Sequence, residues 1–180
     1  KNFLDCNKRV LTREIKKCRQ NTSGIIGVNL MVALTDYDEQ LKTVYDAEAD
    51  LVFVGAGLPL RLPATITIDT VKKSHTRFVP IVSSARALNI IFKSWEKNYD
   101  YVPDAVVVEG PLAGGHLGFK KDQISDPDYS LENLVSEIMP VIGEYMDRHG
   151  KEIPIIAAGG IYDGFDIHRM IKLGASGVQM

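Results

Sequence analysis

The sequence predicts an α/β protein built on a parallel sheet, and three observations carry that prediction. Short apolar, β-branched runs alternate with amphipathic stretches at intervals of roughly 25 residues. The apolar runs show no polar alternation, as expected of strands covered on both faces. Small or polar residues follow nearly every run, at the carboxyl ends of strands, where such folds bind their ligands.

Each element follows from local signals. Thr12 fits an N-cap for a helix over 12–20. Residues 25–32 form the first strand-like run. The stretch 36–48 places Leu41, Val44 and Tyr45 on one face with charges opposite, a surface helix with an inward stripe. Residues 51–54 are a second buried run, stopped by Gly55-Ala56-Gly57. The alternation then repeats. A helix over 66–74 precedes a strand over 78–82 that ends in Ser83-Ser84. A helix over 85–97 precedes a strand over 105–108 that runs into Glu109-Gly110. A helix over 131–149, with Pro140 as its expected kink, precedes a strand over 153–157 that ends in Gly159-Gly160. A last helix over 163–173 stops at Gly174 as its C′ residue, and a sixth strand opens at 177–180. Such alternation implies right-handed crossovers, and a doubly wound sheet and a (β/α)8 barrel both satisfy it.

The chain has 180 residues, 45% of them hydrophobic and 24% charged, which is ordinary globular usage and the size of one domain. Its formal net charge of -2 gives nucleic acid no electrostatic footprint. No apolar run approaches the roughly 20 residues of a membrane span. Cys6 and Cys18 form no CxxC pair, which fits a reducing compartment and a cytoplasmic location. The chain opens at Lys1 and closes at Met180 inside an apolar run. That predicts a piece of a longer chain, since termini seldom fall inside strands.

Two segments carry chemistry. In the first, a strand delivers Glu109 to a carboxyl edge, and Gly114 and Gly115 then lead into His116. The long loop that follows is of the kind that carries function. A histidine there exchanges protons near neutral pH; a loop histidine satisfied by backbone is the competing reading. In the second, Gly159-Gly160 follow a strand and precede a helix, an arrangement that predicts an anion site of consecutive backbone N–H groups. The remaining histidines, His75, His149 and His168, read as structural or solvated. There is no GxxxxGK[ST] and no GxGxxG, which argues against a P-loop and a Rossmann site. No metal-ligand spacing stands out, so no metal is expected.

Taken in order, Gly27-Val28-Asn29-Leu30-Met31, Gly55-Ala56-Gly57, the 109–118 segment, Ala157-Ala158-Gly159-Gly160-Ile161 and Gly177-Val178-Gln179-Met180 resemble the nitronate monooxygenases, formerly 2-nitropropane dioxygenases. The flavin-dependent enoyl-ACP reductases are close relatives of that family. The resemblance implies an FMN-binding TIM (β/α)8 barrel, of which this chain would supply about six β/α units, strands 3 to 8, as one partial domain over 1–180. Two earlier strands and a tail after Met180 would lie outside it, and six strands alone would hold FMN poorly. By resemblance Asn29, Glu109, Gly114 and Gly115 lie against the flavin. Gly159 and Gly160 supply half of a phosphate site, and Gln179 and Met180 open the other half. His116 is the active-site histidine, as base or as the group that holds the substrate's negative charge. The implied partners are O2 and an alkyl nitronate or nitroalkane, which would be oxidised to a carbonyl compound and nitrite. A homodimer is compatible with this reading. NAD(P)H-dependent enoyl-ACP reduction and a non-redox phosphate-binding barrel are the alternatives.

Overall fold

The computed structural model describes residues 3–180, which divide into two compact units, 3–79 and 80–180. Strand β3 (Arg77–Val82) runs across the division.

The first unit holds α1 (Phe3–Asn21), β1 (Gly27–Met31), α2 (Tyr37–Asp46), β2 (Leu51–Gly55) and α3 (Ile68–Lys73). Strands β1 and β2 pair in parallel, from Gly27 opposite Leu51 to Met31 opposite Gly55. Val52 and Val54 are fully buried, and Leu41 and Val44 of α2 supply apolar cover. Asp50 fastens the amino end of this pair. Its carboxylate accepts from the Ile26 amide at 2.7 Å and from Arg19 at 2.5 Å. The amide bond first, and then Arg19, hold this carboxyl below the usual carboxylate range.

Helix α1 begins nine residues before the expected start at Thr12, which lies in mid-helix. Phe3, Leu4 and Val10 in this first part lie exposed, so no buried stripe marks its turns. Asn7 donates to the buried Asp36 at 2.8 Å, and Ile15 is the buried residue of the helix. Those two contacts anchor a helix that sequence periodicity alone shows only in its second half.

The second unit holds α4 (Ala85–Tyr99), β4 (Val106–Glu109), α5 (Leu131–His149), β5 (Ile155–Ala158), α6 (Gly164–Lys172) and β6 (Gly177–Gln179). The end of β3 pairs with β4, β4 with β5 and β5 with β6, all in parallel. Ser84 caps α4 by accepting from the Ala87 amide at 3.1 Å. Helices α4 and α5 bury stripes at helical spacing, Leu88-Ile91-Phe92-Trp95 and Leu134-Val135-Ile138-Ile142-Tyr145. They lock together where the Phe92 and Tyr145 rings meet at 5.0 Å and Tyr145 donates to Asn89 at 2.8 Å. Pro140 sits on the exposed side of α5 and does not end it. Gly174 follows α6 with φ +104°, the left-handed turn expected of a C′ residue. Two 3-10 turns, Lys121–Gln123 and Pro127–Tyr129, subdivide the loop before α5.

No described helix is long and apolar enough to cross a membrane. Ile138 is fully buried, so Ile138→Ala is expected to cost about 2–5 kcal/mol by urea denaturation. The exposed Ile171 serves as control: Ile171→Ala is expected to stay within about 0.5 kcal/mol.

Candidate active site

The second unit gathers its chemistry at the carboxyl ends of β4, β5 and β6. Three buried valines, Val106–Val108, carry the chain to Glu109. Glu109 lies opposite Ala158 in the ladder, and the Gly110 amide donates to the Ala158 carbonyl at 2.8 Å. The loop then turns back, with the Ala113 amide donating to the Gly110 carbonyl at 3.2 Å.

The Gly159-Gly160 turn presses against that loop. Their φ angles are +100° and +75°, a backbone shape that glycine adopts freely and L-residues resist. A Cβ on Gly159 would stand 2.9 Å from the Ala113 nitrogen, and one on Gly160 would stand 3.0 Å from Leu112 Cδ1. Glycine is required here by backbone shape and by space together.

Between these segments lies a cavity of about 420 Å3, within the range of small-molecule and cofactor sites. It brings together six of the residues singled out from sequence, Glu109, Gly114, Gly159, Gly160, Gln179 and Met180. Ala158, Ile161, Leu112 and Ala113 complete the wall with Tyr162. Tyr162 was missed by sequence reasoning; its only signal is an aromatic residue, 77% exposed, between the glycine turn and a helix cap. Gly115 and His116 follow Gly114 in the loop but do not line the cavity. Gly115 has φ +85°, and His116 is exposed. Asn29 belongs to the first unit, where it sits exposed in β1 opposite Phe53.

The start of α6, just beyond the glycine turn, is capped by its own side chains. Asp163 caps that helix, accepting from the Phe165 amide at 2.8 Å and the Asp166 amide at 3.0 Å. Asp166 accepts from the Tyr162 amide at 2.9 Å. These two carboxylates occupy the Tyr162, Phe165 and Asp166 amides, and the glycine turn is the backbone that lines the cavity.

Glu109 is half-buried, and burial pushes its carboxyl above the usual range. Among the described residues, no group hydrogen-bonds or ion-pairs with it. The two serines at the end of β3 are engaged locally. Ser83 abuts Gly118, whose Cβ would stand 2.6 Å from the serine Oγ, and Ser84 is a helix cap. His75 bonds the Glu48 carbonyl at 3.0 Å, His149 bonds Glu96 at 2.9 Å, and His168 is exposed on α6. Among the described residues, no group of three or more His, Cys, Asp or Glu is placed to hold a metal ion.

The family model for nitronate monooxygenase matches residues 3–180. A probable nitronate monooxygenase of Staphylococcus aureus (strain Newman) is 32% identical over 200 residues, covering 97% of this chain and 54% of the relative. The chain thus spans about half the length of the curated relatives it matches. The structure of FabK (M276A) from Thermotoga maritima superposes with TM-score 0.73 at 28% identity, covering 96% of this chain and 49% of that one. The nitroalkane oxidase of Streptomyces ansochromogenes superposes with TM-score 0.69 at 21% identity, covering 96% and 54%, which speaks to the fold alone. The fold is a run of β/α units from a (β/α)8 barrel, as expected.

Two outcomes follow from the site geometry. Gly159→Ala is expected to lower stability by at least about 1–2 kcal/mol. Gly114→Ala, whose added Cβ meets nothing within 4 Å, is expected to change it far less, as read by thermal unfolding. Because the folded state raises the Glu109 carboxyl, it binds that proton more tightly than the unfolded chain does. Stability from this group is present at low pH and lost as pH rises through the folded-state value. Glu109→Gln is therefore expected to raise the melting temperature at neutral pH and above, with the gain vanishing below the ordinary glutamate range.

Proposed function

The chain belongs to the nitronate monooxygenase family, and from that premise we propose that it forms part of an FMN-dependent oxidoreductase that oxidises alkyl nitronates with O2. The cavity walled by Gly159-Gly160 and the loop after Glu109 carries this reading. Its volume of about 420 Å3 and the glycines in its wall, Gly114, Gly159 and Gly160, fit a phosphate-bearing, flat cofactor.

In this reading Gly159 and Gly160 hold the phosphate end through backbone, beside Gln179 and Met180. Gly114 and Glu109 serve the ring end, and the positive φ of Gly115 turns the chain into His116. FMN, when bound, would supply the redox chemistry that couples substrate oxidation to O2. The protein's part is to bind, orient and neutralise. His116, on the loop beside the cavity, meets the negative charge of the nitronate as a hydrogen-bond donor.

The decisive measurement is the absorbance spectrum of the full-length protein, joined to turnover. Flavin bands and nitronate- and O2-dependent nitrite release without pyridine nucleotide are expected. Rapid flavin reduction by NADPH alone would favour an enoyl-ACP reductase instead. A colourless protein that binds phosphate esters would favour a non-redox barrel. With the oxidase activity in hand, His116→Ala is expected to lower kcat/KM for nitronates by about 10²–10³-fold, the usual cost of one charge-stabilising donor.

A further inference from the structure

We propose that Arg169 is a positioning residue for the phosphate end of the cofactor cavity, bracing the Gly159-Gly160 turn by tying the segment that leaves it to the start of α5. The proposal rests on the reading above, in which that turn holds the phosphate of FMN. The tie runs through three side chains. Tyr162, two residues past Gly160, donates its amide to Asp166 at 2.9 Å. Arg169, one helical turn further along α6, donates to Asp166 at 2.7 Å and pairs with Glu132 of α5 at 3.0 Å. Its guanidinium turns Nη2 to one carboxylate and Nε to the other, a planar fork that a lysine ammonium does not supply.

The turn has need of a brace. Glycine loses more freedom than any other residue on being fixed, and two stand here in succession with positive φ. The loop after β4 presses on them at Leu112 and Ala113, but two cavities also open against them. One is the cavity of about 420 Å3 described above. The other, of about 230 Å3, also touches Gly159 and Gly160, and Glu132 and Arg169 stand in its wall. The start of α5 is a firm point to tie to. Ser130 caps that helix by accepting from the Asn133 amide, and Leu131 is buried against Gly110 at the base of the loop after β4. Through Leu131 the helix start abuts one wall of the cofactor cavity, and through Glu132 and Arg169 it holds the segment that follows the other. Both ion pairs of Arg169 are partly exposed, and such pairs add little to global stability. What they add here is local order in a ligand-facing backbone, which saves the ligand the cost of ordering it.

The test is flavin affinity of the full-length protein freed of flavin, read by fluorescence titration with FMN and with riboflavin, which lacks the phosphate. The wild type is expected to bind FMN at least about tenfold more tightly than riboflavin, the worth of a charge-assisted contact to the phosphate. Arg169→Gln is expected to weaken FMN binding by about 3–30-fold, with riboflavin affinity and melting temperature little changed. Arg169→Lys is expected to recover part of that loss. In flavin-free Arg169→Gln, hydrogen exchange over residues 159–165 is expected to quicken. Glu132→Ala separates bracing from charge: removing a carboxylate would by charge alone tighten phosphate binding, whereas losing the brace weakens it. Wild-type FMN affinity in Arg169→Gln, equal losses for FMN and riboflavin, unchanged exchange over 159–165, or tighter FMN binding by Glu132→Ala each overturns the proposal. A wild type that binds riboflavin as tightly as FMN overturns the placing of the phosphate at the turn, and the brace's role with it. A protein that shows the expected affinities yet oxidises no nitronate overturns the oxidase reading and leaves the positioning role standing. One that binds no flavin overturns both.

Discussion

The candidate site depends on one close approach, that of the turn after β5 to the loop after β4. At Gly159 there is no room for a methyl group between backbone and backbone, since an added Cβ would stand 2.9 Å from a nitrogen and 3.1 Å from a carbonyl oxygen. Neither atom can rotate away as a side chain can. The left-handed φ at both glycines adds a second, independent demand for the same residue. The base of the loop is pressed from the other side too, where a Cβ on Gly110 would meet Leu131 Cβ at 3.1 Å. Small residues thus let two connecting segments and the start of α5 stack, and that stack forms a wall of the cavity.

The legible parts of the molecule are those whose physics is local. Runs such as Val106–Val108 and Leu51–Val54 announce buried parallel strands through composition alone, and all six emerge within two or three residues of the expected bounds. Gly174 was readable as a helix stop because one residue suffices to make that turn. The first half of α1 was not readable. Its support comes from Asn7 reaching Asp36 and Lys8 pairing with Glu39, partners some 30 residues along the chain that no periodicity encodes. The two 3-10 turns hide in a polar loop for the same reason.

At the site the same division holds. Sequence order suggested Glu109, Gly159, Gly160 and Gln179, because parallel strands must bring their carboxyl ends to one edge, while Gly114 and Met180 followed from the family resemblance. What sequence order could not show was the competition for donors at the start of α6. Asp163 and Asp166 look like ordinary first-turn acids, which favour a helix start through its dipole. Only their geometry reveals that they occupy the Tyr162, Phe165 and Asp166 amides. The glycine turn is the backbone that lines the cavity.

Carboxylates at the two ends of the strands are treated differently, and the difference bears on function. Asp50, just before β2, accepts from the Ile26 amide and from Arg19. Asp104, just before β4, is buried yet accepts from Tyr101 at 2.6 Å and from Lys151 at 2.7 Å. At the amino ends, then, each buried or half-buried acid is matched by protein donors, as stability requires. Glu109 stands at the opposite end of the very strand that Asp104 introduces, and its carboxylate has no protein partner among the described residues. A fold that satisfies Asp104 with two donors has the means to satisfy Glu109 as well. That it leaves this acid unpaired, against a cavity rather than bulk water, assigns its missing partner to whatever the cavity binds.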